Sequence, residues 1–149
     1  MSLEARRDHE VIELFPSTSC EAGIKVPGAG VGDSVRLGYQ VNGFVFVLDV
    51  TAAETTAGDW LYVYVQTMLD GVNWTDVARF NTAIGDEGAV RRVAQIVSTF
   101  EQAEFEVGTA LAAGHVRDLF GDEWRVRWVV TKGCSPSAAF TFSVSAIPM

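Results

Sequence analysis

Basic side chains are scarce in this chain. Lys and Arg number 11 against 19 Asp and Glu, for a formal net charge of −8 over 149 residues. Nucleic-acid binding draws on a basic patch that supplies phosphate contacts, so this balance disfavours it and predicts no direct nucleic-acid partner. An acidic surface suits solubility and crowded assembly surfaces instead. Cysteine is nearly absent. Cys20 and Cys134 lie far apart, with no CxxC spacing and no nearby His, which argues against a zinc or redox site. They bridge only if the fold brings their Cα atoms to about 4.4–6.8 Å, and the expectation is two reduced thiols. Histidine is limited to His9 and His115, and neither has the neighbours that a metal site or a nucleophilic relay needs. No catalytic residue, cofactor or metal is therefore assigned, and an enzyme is not expected. Carboxylate pairs abound, but spacing alone does not show which of them share a cleft. No apolar run approaches the ~20 residues of a membrane span, so no membrane partner is expected. The first ten residues are charged and lack the apolar middle of a secretory signal, which points to synthesis and use in the cytoplasm.

What the chain does have is apolar and aromatic residues. The hydrophobic fraction is 48%, with 9 Phe, 4 Trp and 3 Tyr, enough to build the core of one domain. The clearest pattern is Trp60–Phe80. An aromatic and β-branched run, an Asp70-Gly71 turn and a second alternating run read as a β-hairpin. The first arm is apolar on both faces, as expected of an interior strand in a covered sheet. The return arm places Trp74, Asp76, Ala78 and Phe80 on one side and Thr75, Val77 and Arg79 on the other, which predicts one buried and one wet face.

Other segments follow the same logic. Val11–Phe15 reads as a short strand stopped by Pro16, with a loop from Ser17 to Gly23. Ile24–Val26 is a brief edge strand candidate. Gly28–Ser34 is glycine-rich, but no Lys-Ser/Thr pair or helix pattern follows, so a flexible loop is expected rather than a phosphate cradle. Val35–Gln40 and Phe44–Thr51 are strands, then Ala52–Asp59 is a turn and Asn81–Gly88 a loop. Residues 89–107 fit a helical stripe or a strand, with strand favoured over 90–98 and again over Glu104–Val107. Thr109–Phe120 has room for one helical turn. Trp124–Thr131 alternates, with Trp124, Val126, Trp128 and Val130 on one side and Arg125 and Arg127 on the other. Phe140–Ser145 alternates again, and these two runs are expected to form a second hairpin. Residues 1–10 read as an N-terminal arm, either poorly ordered or laid across a neighbour, before one domain over 11–149. The expectation is an all-β fold, an antiparallel two-sheet sandwich or jelly roll of about eight strands with little helix.

Two clusters have chemistry to weigh. Asp70, Asn73 and Trp74 are either a sugar-binding tip or a hairpin turn locked by its Trp, the commoner use of such a motif. Arg125 and Arg127, like Arg91-Arg92, offer either a contact for phosphate or a partner's carboxylates, or a solvated face.

Four segments together also carry a resemblance: Leu48–Ala53, Val65–Val77 with its Asp70-Gly71-x-Asn73-Trp74, Trp124–Val130 and Ser135–Ala146. In content and order they resemble small virion proteins of tailed bacteriophages, encoded near the major capsid gene. The resemblance implies a structural role in the virion, first as a capsid decoration (cement) protein, otherwise as a tail or head–tail connector part. It implies a capsid-surface location after synthesis in the bacterial host cytoplasm, with the major capsid protein as partner. It also implies self-association, with a trimer natural at threefold positions. Partner contact would then fall to Arg6 and Arg7 in the arm and to Arg125 and Arg127. The section 85–120 and the arm depart from the pattern. A carbohydrate-binding or adhesive sandwich, motivated by Trp60, Tyr62, Tyr64 and Trp74 near a loop and using Asp70, Asn73 and Trp74, is the alternative.

Overall fold

The computed structural model describes residues 11–22, 29–37, 42–54, 58–98, 110–131 and 138–149. The described residues form ten strands: β1 (Ile12–Ala22), β2 (Ala29–Val31), β3 (Val35–Arg36), β4 (Gly43–Glu54), β5 (Trp60–Met68), β6 (Trp74–Arg79), β7 (Ala83–Ile84), β8 (Val90–Val97), β9 (Glu123–Thr131) and β10 (Ala138–Pro148). One 3-10 turn, Gly85–Glu87, completes the set.

The strands make two antiparallel sheets. One has the order β1-β10-β4-β8, and the other β2-β9-β5-β6, with β3 also on β9 and β7 also on β5. β2 and β3 lie in line along the same edge of β9, where Ala29 faces Val129 and Val35 faces Trp124. β6 and β7 lie in line along β5 in the same way. Each sheet therefore has four tracks. In chain order the tracks run first, eighth, third, sixth in one sheet and second, seventh, fourth, fifth in the other. This is jelly-roll connectivity, in which long connections alternate between sheets.

The core follows from the period of two. Phe44, Phe46, Leu48 and Val50 of β4 and Phe140, Phe142 and Val144 of β10 turn inward from the first sheet. Leu61, Val63 and Val65 of β5 and Trp124 and Val126 of β9 meet them from the second. Trp124 is the largest fully buried side chain. Its ring meets Phe44 edge-on at 5.2 Å, and its indole N–H donates to the Gly121 carbonyl at 3.0 Å. That bond satisfies the one polar atom the indole brings into the core.

Several expectations need correction. β1 does not stop at Pro16 but continues to Ala22, through the stretch expected to be loop. It is an edge strand, and register shifts bracket Pro16 between Glu13 and Thr18, the two settings in which a strand tolerates proline. Part of the glycine-rich loop is strand β2, and Gly32 N–H bonds the Val126 carbonyl at 2.8 Å. β4 runs on to Glu54, into the expected turn. Val35–Gln40 is strand only over Val35–Arg36 among its described residues. β9 and β10 are not a hairpin: they belong to opposite sheets. The described part of Thr109–Phe120 contains no helical turn and instead lies along β6, with Ala78 bridging Val116. The strand reading of 90–98 holds over Val90–Val97, as β8. The arm, Ile24–Val26 and Glu104–Val107 lie outside the described residues.

Candidate functional site

The wet face expected of the return arm is not there, and the reason defines the site. In β6, Thr75 to Ala78 are all buried. The register shifts between Val65 and Gln66, so that Gln66 opposes Asp76 while Val65 opposes Ala78. Val77 is the extra residue of a bulge. A bulge reverses the alternation beyond it. Arg79, expected on the face opposite Trp74 and Asp76, comes to lie on theirs.

That outer face of the second sheet gathers side chains from three strands. β5 supplies Tyr62, Tyr64 and Gln66, while β9 supplies Arg125 opposite Gln66 and Arg127 opposite Tyr64. The guanidinium of Arg79 stands 4.9 Å from the centre of the Tyr62 ring and 5.1 Å from that of Tyr64. Arg127 stands 4.8 Å from Tyr64, and Arg125 stands 4.4 Å from Trp74. Trp60, 42% exposed, extends the row by meeting Tyr62 edge-on at 6.4 Å. The face is a layer of cations resting on aromatic rings, a geometry in which the ring quadrupole attracts the guanidinium.

A polar chain runs through the same layer. Arg125 Nε donates to Gln66 Oε1 at 2.8 Å, and Gln66 Nε2 donates to Asp76 Oδ1 at 2.8 Å. Asp76 Oδ2 accepts from the Leu111 N–H at 3.2 Å. Arg79 Nη1 donates to the Leu111 carbonyl at 3.0 Å, and Arg117 Nη1 to the Asp76 carbonyl at 3.1 Å. The 110–118 segment is tied to β6 by these bonds and closes its edge. Burial, with the neighbouring Arg127 guanidinium, lowers the pKa of Arg125 from its ordinary value.

The described arginines divide by environment. Arg36 pairs with Glu123, Arg91 with Asp49 and Arg92 with Glu87. Arg91-Arg92, weighed as a contact, thus has carboxylate partners. Among the described residues, no carboxylate lies within ion-pair distance of Arg79, Arg125 or Arg127. Arg125 and Arg127 point outward as expected. Arg6 and Arg7 lie outside the described residues. Sequence reasoning placed Tyr62 and Tyr64 on one face with Trp60 and Gln66, as rings for the carbohydrate reading, but missed Arg79, which only the bulge brings to them.

The Asp70–Asn73–Trp74 cluster closes on itself. Asp70 Oδ1 accepts from the N–H groups of Val72 and Asn73, and Oδ2 accepts from Asn73 Nδ2 at 2.8 Å. These bonds lower the Asp70 pKa to about 2. Trp74 sits under Arg125. The polar atoms proposed for a sugar are engaged in the turn, and one side of the ring is occupied.

Cys20 is buried and free, while Cys134 lies outside the described residues. His115 is exposed, and no group of three metal-ligating side chains occurs among the described residues. A cleft of about 250 Å³ opens between β6 and β8, lined by Arg79, Asn81, Arg92, Val93, Gly114 and Val116. No helix among the described residues is long and apolar enough to cross a membrane. Comparison with known proteins finds no family model, no curated protein and no solved structure that matches this chain.

Proposed function

We propose that this chain is a structural virion protein of a tailed bacteriophage, a decoration protein that binds the outer surface of the head through its major capsid protein. The observation that carries the reading is the outer face of the second sheet, where Arg79, Arg125 and Arg127 are held on Tyr62, Tyr64 and Trp74. Such a face is rigid, broad and rich in the residue types that anchor protein–protein contacts. It supports a binding role rather than a catalytic one.

Two further features favour the reading. In their described residues the four resembling segments fall on β4, the β5–β6 hairpin, β9 and β10, of which β4 and β10 are the centre of one sheet and β5 and β9 the centre of the other. Jelly rolls also recur in viral capsid domains, although they recur in lectins too, so this is support by analogy of fold. A capsid repeats each site many times, and a pre-formed domain gains occupancy from many weak contacts without a deep interface. Self-association as a trimer at threefold positions belongs to the same proposal.

The test is to locate the chain in purified particles. Regular density over the head, in copy number comparable to the capsid protein, is the expected result. A ring or a few copies at the tail or neck would assign it as a connector or tail part. Absence from particles would end the virion reading.

A further inference from the structure

The three cations of the outer face present an unusual electrostatic situation. The molecule is acidic overall, and its other paired arginines sit against carboxylates. Here three guanidiniums gather around Asp76, which is buried and bonded to Gln66 and Leu111 rather than to them, while Glu123, two residues before Arg125 on the same face of β9, pairs with Arg36. Like charges at this spacing repel: the pKa of Arg125 is lowered first by burial and then by the charge of Arg127. Stacking on the rings offsets part of that repulsion. Arg79 gives Nη1 to the Leu111 carbonyl and has its Nε buried, and Arg125 gives Nε to Gln66, so the in-plane N–H groups left to meet a carboxylate's two oxygens are those of Arg127 and the Nη groups of Arg125.

Spacing narrows the ligand. Arg125 and Arg127 are two apart on one strand, so their stems are about 6.6 Å apart. Carboxylates at alternate positions of an extended peptide repeat at the same distance. We infer that this face binds an extended, acidic segment of a partner protein running along β9, with alternate carboxylates forked by Arg125 and Arg127, while Arg79, level with Arg127 across Tyr64, adds positive charge at its flank. The segment's charge would neutralise the repulsion that the free face carries. A nucleic-acid backbone fits less well, because a small patch of three cations on a molecule of charge −8 cannot follow a long polyanion. The inference rests on the virion reading only for where the partner is found.

The probe is a fluorescein-labelled ten-residue peptide of alternating glutamate and glycine. A glutamine-for-glutamate version and a ten-nucleotide single-stranded DNA serve as comparators. The acidic peptide is expected to bind at low salt and weaken as salt rises, with R125Q/R127Q reducing affinity by at least about tenfold and R91Q leaving it unchanged. R125K/R127K, which keeps the charge and removes the fork, is expected to lose about threefold, and it carries the test if the glutamine pair fails to fold. Absence of binding, equal binding by a folded R125Q/R127Q or by R125K/R127K, or tighter binding of the DNA would overturn the inference. The two readings fail separately. Peptide binding that depends on these arginines, in a chain absent from particles, sinks the virion role alone. Unchanged occupancy of particles by a folded R125Q/R127Q sinks this surface alone.

Discussion

Gln66 and Asp76 face each other across β5 and β6, both buried, joined by an amide-to-carboxylate hydrogen bond of 2.8 Å. The pair sits at the register shift that reorganises the outer face. Asp76 also accepts from the Leu111 N–H, so one carboxylate fixes both the bulged strand and the segment that closes its edge. Asp76→Ala strands two buried donors at once. It is expected to cost about 2–6 kcal/mol, from roughly 1–3 for each donor left unmet. Urea unfolding checks this, and hydrogen exchange should show faster exchange at Leu111 in particular.

How much of this was legible in the sequence depends on which signal each element carried. β9 was plain: strict alternation put Trp124 and Val126 inside and Arg125 and Arg127 outside, and the structure agrees. β4 and β10 were plain for the same reason. The return arm was not, because a bulge leaves no mark on composition. Parity counted from Trp74 is correct up to Asp76 and reversed at Arg79. Pro16 misled in the opposite direction, since a proline that stops a central strand is accommodated by an edge strand with shifted register. The pairing of β9 and β10 failed because turn residues mark where a chain reverses and not which sheet it returns to. The all-β sandwich was thus readable from local periodicity. The cation–aromatic face was half readable, because it depends on a non-local register.

The hairpin turn gives a prediction in pH. Asp70 has its pKa lowered to about 2 by hydrogen bonds from Asn73 and Val72. A depressed folded pKa means that the carboxylate stabilises the turn above the unfolded value near 3.8, and that this contribution is lost as pH falls towards about 2. An NMR titration should give Asp70 a midpoint near that value, with the Val72 and Asn73 amide signals moving in step. A midpoint near 3.8 would mean that these bonds do not persist in solution.

Gly71, in the same turn, has φ +78° and open space where a Cβ would stand. Any cost of a side chain there is conformational rather than steric. Gly71→Val should destabilise by roughly 1 kcal/mol or more, since β-branched residues resist that region. Calorimetry on the variant reads it directly, and an unchanged melting temperature would count against the turn geometry.

The Cys20 thiol is pushed up to about 11 by burial. Little thiolate exists near neutrality, so iodoacetamide at pH 8 should label this position only after unfolding. The sign of the linkage is also fixed. The folded state holds the proton more tightly than the unfolded chain, so the contribution is whole below about 9 and declines as pH rises towards about 11. Rapid labelling of the native protein at Cys20 would contradict the buried position on β1.

Thr75 supplies a prediction of opposite sign. Its side chain is fully buried in β6, and its hydroxyl oxygen has no hydrogen-bond partner. Folding strips water from that hydroxyl and returns nothing, a cost of about 1–3 kcal/mol in mutational terms. Valine keeps the branched shape that suits a strand and replaces the hydroxyl with a methyl group of similar size. Most substitutions in a packed sheet destabilise, so a gain here is diagnostic. Thr75→Val is expected to stabilise the fold by about 1 kcal/mol and to raise Tm by about 2–4 °C. A loss of stability would show that the hydroxyl finds an acceptor in solution, and the packing of β6 against β5 would then need a different local geometry.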